Sequence, residues 1–429
     1  MSINIHNKLL NKNLILLWQG QFVSLIGTEI VYISLFLWIK QATGMATLMG
    51  LSGMIFSFSA ILANPIGGTF ADLYSRKTII ILCDVIAGIS SLILCVILLI
   101  NLNNIVLTLS LIFITQFIFG ISSGIFEPTV NAIIPDIVPQ DKIQSANSIK
   151  GSTIQICQIF GQSIGAILFR LLGMPVLMLV NGITFIFSAV SESFIKIPKK
   201  NVKPIKSSRE GFIRFKNDFK QGIKFIWHKK ELRDILILFA LINFLDTPFL
   251  ILLPFLVEDI LKVSSAWYGY LIGFFGLGAI SGFVITDLIK IPKKIKALFI
   301  LINLIVLSVI FAYVGYINNL LIAVIVAVVF GFLSAFFDLL TDTAILYHTP
   351  TNLRGRVFGL VATLSAGLIP LGMSISGIIA DLTGHNIPLI FLGAGILHLI
   401  MIIPIFSNKH IWRGYAFSLN EKEKIERRA

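Results

Sequence analysis

The sequence predicts an all-α membrane protein in which twelve transmembrane helices form two pseudo-symmetric six-helix bundles. Three observations lead there. Hydrophobic residues make up 56% of the 429-residue chain and charged residues only 13%, about half the ~25% of an ordinary soluble domain. Twelve apolar runs are each long enough to cross a bilayer, which takes about 20 residues. A weak internal repeat relates the two halves. Helices are the required form, because lipid offers a bare backbone no hydrogen bonds.

In the first half the runs cover residues 14–39, 48–70, 78–100, 105–126, 149–172 and 175–197. In the second they cover 235–257, 267–288, 296–316, 319–340, 356–380 and 387–407. Lys8 and Lys12 ahead of the first run imitate a secretory leader. That run is too long for one, and no small-residue cleavage site follows it, so it reads as the first spanning helix. The net charge of +13 is a topology signal. With the amino terminus inside, only Lys40, Arg170 and Lys262 of the 34 Lys and Arg fall on the opposite side. This is the positive-inside pattern, which puts both termini in the cytoplasm and makes the lipid bilayer, not nucleic acid, the partner. Cys83, Cys95 and Cys157 lie within apolar runs without metal-type spacing, and read as buried free thiols.

The repeat emerges at a shift of 211 residues, which aligns Gly120 with Gly331, Glu127 with Asp338, Asn131 with Asp342 and Pro139 with Pro350. The same shift aligns Gly161 with Gly372 and Gly173 with Gly384, and a shift of 215 places Gly67 on Gly282 and Asp72 on Asp287. Such a trace marks a repeat-built transporter with its substrate site between the halves. The expected organisation is an N-terminal bundle over 1–197, a basic cytoplasmic linker over 198–234, a C-terminal bundle over 235–407 and a tail over 408–429. In the linker, Phe212, Phe215, Phe219, Ile223 and Ile226 fall on one helical face, with Arg214, Lys220 and Lys224 elsewhere. This amphipathic helix suits the inner membrane surface. It reads either as a lipid-sensing element or as a solvated tether.

Polar residues within the runs are the candidate site. Glu29 lies about halfway along the first run, where a carboxylate is costly and turns to a cavity or partner. There it can gain or lose a proton according to the side it faces, as proton coupling requires, or it can serve only to orient helix neighbours. Tyr32 and Phe36 share its face. In the fifth run Gln155, Gln158 and Gln162 form a polar stripe beside Gly161 and Gly165. These amides either line a cavity or bond across helices. Asp246 lies midway along the seventh run, beside Asn243 and before Thr247-Pro248, with Phe249 on its face. It reads as a second coupling acid, or as part of a helix break in which Asn243 or water satisfies the carbonyls that Pro248 frees. Phe332 and Phe336 in the tenth run are further candidates for the cavity wall, and His398 in the twelfth reads as a packing residue.

Three stretches carry a family resemblance: LWQGQFVSLIGTEIVYISLFLWIKQATG (17–44), NPIGGTFADLYSRKTIIILCDVIAG (64–88) and EPTVNAIIPDIVPQDKIQSANSI (127–149). Together they resemble the macrolide-efflux and enterobactin-exporter branch of the major facilitator superfamily, and LRGRVFGL (353–360) looks like the matching loop of the second half. The resemblance implies a cytoplasmic gate. Gly68 would let the second helix approach the eleventh, and Asp72 would dock on that helix's amino terminus. Arg76 would pair with Glu127, with Asp84 joining the cluster and Lys77, Asp338, Arg354 and Arg356 completing it. Leu73 and Ser75 depart from the Arg and Gly common in this loop, and Gln162 stands where antiporters of the superfamily often carry Pro. The branch often has a smaller or uncharged residue at the position of Glu29. The resemblance also implies that the first and seventh helices line one central cavity.

The expected function is secondary export of a hydrophobic, drug- or macrolide-like molecule by proton antiport. The chain would act as a monomer in the bacterial inner membrane, driven by the proton gradient and needing no cofactor. Two alternatives stay open: a siderophore or peptide-product exporter, and a transport-inactive sensor. No G-x-x-x-x-G-K-[ST] phosphate loop occurs, which argues against an ATP-driven pump. The 6 His residues are scattered, which argues against a membrane enzyme.

Overall fold

The computed structural model describes residues 9–100, 104–196, 220–289, 291–350 and 353–416, and its regular structure is helical. The first helices are α1 (Lys12–Thr43), α2 (Ala46–Leu73), α3 (Arg76–Ile100), α4 (Ile105–Ile137) and α5 (Ile143–Ser193). Then come α6 (Lys230–Leu245), α7 (Thr247–Phe255) with a π turn over Leu256–Ile260, and α8 (Ala266–Leu288). The remainder are α9 (Lys296–Val314), α10 (Leu320–His348), α11 (Arg354–Leu382), α12 (Ile387–Ser407) and the short α13 (Lys409–Tyr415).

Among the described residues, ten stretches are long and apolar enough to span, with a shorter apolar segment, Gly367–Leu382, in α11. The twelve expected runs reconcile with that count at Gly173. There the backbone leaves helical geometry (φ 73°, ψ 167°), which glycine adopts without strain. Gly161, before the kink, and Asn181 and Thr184, after it, pack at neighbouring levels of α1, against Glu29 and Gly27. So α5 turns back on itself and contains two of the runs.

Side chains are sorted as a bilayer requires. On α3, Ile86, Ile89 and Ile93 point outward, while Asp84, Ser90, Ser91 and Cys95 are buried. Small residues make the inner contacts, because packing, not apolar burial, drives association in lipid. On α4, a Cβ at Gly120 would collide with Ser59 and Phe56 of α2, and one at Gly124 with Ala60. Gly44 closes α1 in the left-handed region (φ 68°), and Asn11 caps its start by accepting from the Leu14 N–H at 3.0 Å.

The chain divides into two compact units. One carries α1 to α5; the other carries α6, α7, α8 from Tyr270 onward and α9 to α13. Of the expected linker face, Phe212, Phe215 and Phe219 lie outside the described residues. Residues 220–228 are helical, with Ile226 buried and Ile223 exposed.

Candidate functional site

In the first unit, α1 and α5 approach so closely that a Cβ on Gly161 would stand 2.6 Å from the Glu29 Cβ, and one on Gly165 2.8 Å from the Ile30 carbonyl. The two glycines, one turn apart, open a groove in α5 that receives α1. The approach brings Gln162 into reach, and its Nε2 donates to Glu29 Oε2 at 2.9 Å. This bond fixes the orientation of the carboxyl group.

Glu29 lies on a wall shared by two cavities. The larger, of about 350 Å³, is also bordered by Asp84, Glu127 and Lys150. The smaller, of about 220 Å³, adds Tyr32, Gln116 and Gln162. Thr28, Phe56, Phe119 and Gln158 border both. The larger falls within the range of small-molecule pockets and has their character: aromatic walls with a few convergent polar groups. Of the glutamine stripe, Gln158 and Gln162 face these spaces, whereas Gln155 is exposed and borders neither. Phe36 does not line either cavity; it is 1% exposed and packs its ring 4.7 Å from that of Tyr32. The wall aromatics that sequence reasoning missed are Phe56, Phe119, Phe126 and Phe185. Phe119 adjoins Gly120, so its signal was the small-residue contact between α4 and α2, which turns neighbouring side chains inward.

Arg76 is placed otherwise than expected. Its Nη1 pairs with Asp136 and donates to the Ala132 carbonyl at 2.9 Å, and its Nε donates to the Ala71 carbonyl at 3.0 Å. Ala71 lies in the last turn of α2, whose carbonyls lack helical partners and carry partial negative charge. Arg76 therefore ties the end of α2 to α4. Glu127, the expected partner, stands nine residues before Asp136 on α4 and faces Lys150 at 3.5 Å, while Lys150 also donates to Asn131 at 2.8 Å. Asp136→Asn is expected to lower the melting temperature of the purified protein, since a partly buried charged hydrogen bond contributes about 1.5–3 kcal/mol. Glu127→Gln, in an exposed pair worth at most about 1 kcal/mol, should leave it nearly unchanged. Equal shifts for both variants would overturn the assignment of Asp136.

Near this contact, α2 makes its close approach within the unit at Gly67. A Cβ there would stand 2.6 Å from Ile125 Cα of α4, while none of the described atoms lies within 4 Å of the Gly68 position. Asp72 is exposed and Lys77 half-buried. Asp84 is 3% exposed and belongs to the cavity. The side chains of Arg354 and Arg356 lie outside the described residues, as does that of Asp287.

In the second unit, Asp246 stands at the break between α6 and α7. Pro248 lacks an N–H, which leaves the Phe244 carbonyl free, and the Thr247 hydroxyl takes it at 2.7 Å. Asn243, expected in that role, instead donates to the Phe239 carbonyl at 2.9 Å. The Asp246 carboxylate faces His398 Nε2 at 3.7 Å. His398 is buried and packs on Phe311, as a packing residue would, yet it also stands beside the acid. Asp338, expected at the gate, lies close enough to Asp246 for their charges to act on each other. Phe249 packs with Phe275 and Phe330, at 6.1 and 5.4 Å between ring centres. Phe336 is buried, and the Phe332 backbone approaches Gly278 and Gly282 of α8.

Residues 17–372 match the family model described as Major Facilitator Superfamily. Macrolide efflux protein A of Streptococcus pyogenes is 21% identical over 393 residues, covering 91% of this chain and 95% of the relative. The enterobactin exporter EntS of Escherichia coli O1:K1 / APEC is 23% identical, covering 80% of this chain and 79% of that one. Among solved structures, a bacterial homolog of the human lysosomal transporter Spinster, inward-facing and occupied, superposes with a TM-score of 0.70 at 13% identity. It covers 95% of this chain and 98% of its own.

Proposed function

Since the chain belongs to the major facilitator superfamily, and is a multi-pass membrane transporter, we propose that it exports hydrophobic or amphipathic small molecules in exchange for protons. One observation carries this reading: Glu29, held by Gln162, is the acid on the wall between two aromatic-lined cavities. Substrate and proton then act on one carboxylate. Protonation discharges the wall, and the cargo meets a neutral or an ionised surface accordingly. Lipophilic cations fit best, because aromatic faces and a carboxylate both attract positive charge. Asp246, beside His398, is the acid we assign to the second unit's share of coupling.

The relatives bear on the cargo without deciding it. Macrolide efflux protein A favours the drug-like reading and EntS the siderophore reading. An anionic siderophore would need free cations, and the lysine bordering the larger cavity, Lys150, is turned to Glu127 and Asn131. The distribution of Lys and Arg supports cytoplasmic termini in a bacterial inner membrane. A monomer driven by the proton gradient, without a cofactor, completes the proposal.

Reconstituted vesicles with an imposed pH gradient test it, using a lipophilic cationic dye and a macrolide as probes. Gradient-dependent movement abolished by an uncoupler is expected. Movement of a catecholate siderophore alone would favour the second cargo, and no flux of any probe would leave the sensor.

A further inference from the structure

The first unit contains a polar cluster that the proposed coupling at Glu29 does not use. Glu192, on the returning half of α5, is 0% exposed, and neither carboxylate oxygen has a hydrogen-bond partner. Asp84 of α3 is 3% exposed with its Oδ2 likewise unpartnered, and the antiparallel packing of α3 on this half of α5, Ser91 on Met178 and Gly88 on Gly182 and Phe185, carries it toward the turn that holds Ser188 and Glu192. Ser188, one turn before Glu192, stands beside Asp84. From α1 comes Gln21, 6% exposed, which borders the same cavity as Asp84 and whose Nε2 donor is also unmatched. Acceptors and a donor thus converge here without satisfying one another.

Two ionised carboxylates cannot remain together in such a place. Each would bear the cost of leaving water, the like charges would repel, and neither has an ion pair among the described residues. The lysine that borders the same cavity as Asp84, Lys150, is committed to Glu127 and Asn131. A single proton resolves the conflict. Protonation of one carboxyl turns it into a donor and removes one of the two charges.

We propose that Asp84 and Glu192 hold one proton between them, a buried carboxyl pair that gives the first unit a protonation site apart from Glu29. Asp84 borders the larger cavity, so water there supplies the proton and receives it back. The O–H bond formed on the pair replaces one broken on water or buffer, and no redox change is involved. The titratable groups that the packed elements turn toward this space are Glu29 from α1, Cys83 from α3, Glu127 from α4 and Lys150 from α5; α2 contributes Phe56. Glu29 belongs to the same cavity, so the pair's charge bears on Glu29, and loading it favours a charged Glu29.

Infrared spectroscopy of the full chain in lipid nanodiscs, titrated in pH, reads this directly through the carbonyl band of protonated carboxylic acids. The wild type is expected to show such a band at neutral pH, with one component that is kept in Glu29→Gln and lost in Asp84→Asn/Glu192→Gln. In each single variant the midpoint of the remaining acid should move by more than about one pH unit, as for acids that titrate as a pair. Unmoved midpoints would show independent acids and overturn the sharing. A band untouched in the double variant would overturn the site, and one displaced by sodium at constant pH would make it a cation site. Should the double variant fail to fold, the single variants decide. The readout needs no transported cargo, so its outcome is separate from that of the export assay.

Discussion

Glu29→Gln is expected to uncouple the transporter while leaving it folded. Gln matches Glu in shape, and its side-chain oxygen still accepts from Gln162, so the contact between α1 and α5 survives in outline. The ability to alternate between charged and neutral forms is lost. A group that cannot take up and release the proton cannot tie cargo movement to the gradient, and about 1.4 kcal/mol of lost driving free energy already corresponds to tenfold. Gradient-driven flux should therefore fall by about tenfold or more. Exchange of cargo across vesicles without a gradient should persist, because the cavity walls of Phe56, Phe119 and Gln158 are intact. Gln162→Ala makes a useful companion: it keeps the titrating acid and frees its orientation, so coupling should weaken and not vanish. Undiminished gradient-driven flux in Glu29→Gln, with an unchanged melting temperature, would remove this acid from the mechanism.

The spans were legible in the sequence, because run length answers to the bilayer alone. The doubling of α5 at Gly173 was legible as two separate runs, since the apolar pattern breaks at the same place as the backbone. Glu29 was legible for a similar reason, a charge at a depth where charge is costly. Partnerships were another matter. Arg76 pairs with Asp136 and not Glu127, although both acids are on α4, because the choice depends on how far α4 slides along α2. That slide is fixed by Gly67, Gly120 and Gly124, whose spacing marks a close face on each helix but not the level at which the two faces meet. Glu192 escaped notice for a related reason. It stands near the end of its run, where a charge reads as a cytoplasmic boundary residue, and only the packing of α3 and α1 around it buries it completely. The role of Thr247 at the break before Pro248 was hidden because any nearby hydroxyl or amide could take the freed carbonyl.

The same reasoning gives the glycines of α5 opposite signs. In an open helix, Gly→Ala gains up to about 1 kcal/mol from the residue's lower backbone entropy when unfolded. Gly151 meets that condition, since nothing lies within 4 Å of where its Cβ would be. Gly151→Ala should be neutral or slightly stabilising. At Gly161 the added carbon would stand 2.6 Å from the Glu29 Cβ and 3.2 Å from the Ile26 carbonyl. Neither neighbour is the end of a flexible chain, so the helices must part, at a cost of about 1–3 kcal/mol for overpacking. Gly161→Ala is thus expected to lower the melting temperature, and to lower coupling as well, because parting α1 from α5 pulls Glu29 away from Gln162. Gly165→Ala separates the two effects. Its Cβ would meet the Ile30 backbone at 2.8 Å, so it should destabilise comparably, yet it does not press on Glu29 itself. At matched stability loss, Gly161→Ala should reduce gradient-driven flux more than Gly165→Ala. Thermal unfolding and flux measured on all three variants check this. If Gly151→Ala and Gly161→Ala shifted stability alike, close helix approach would not be what positions the acid.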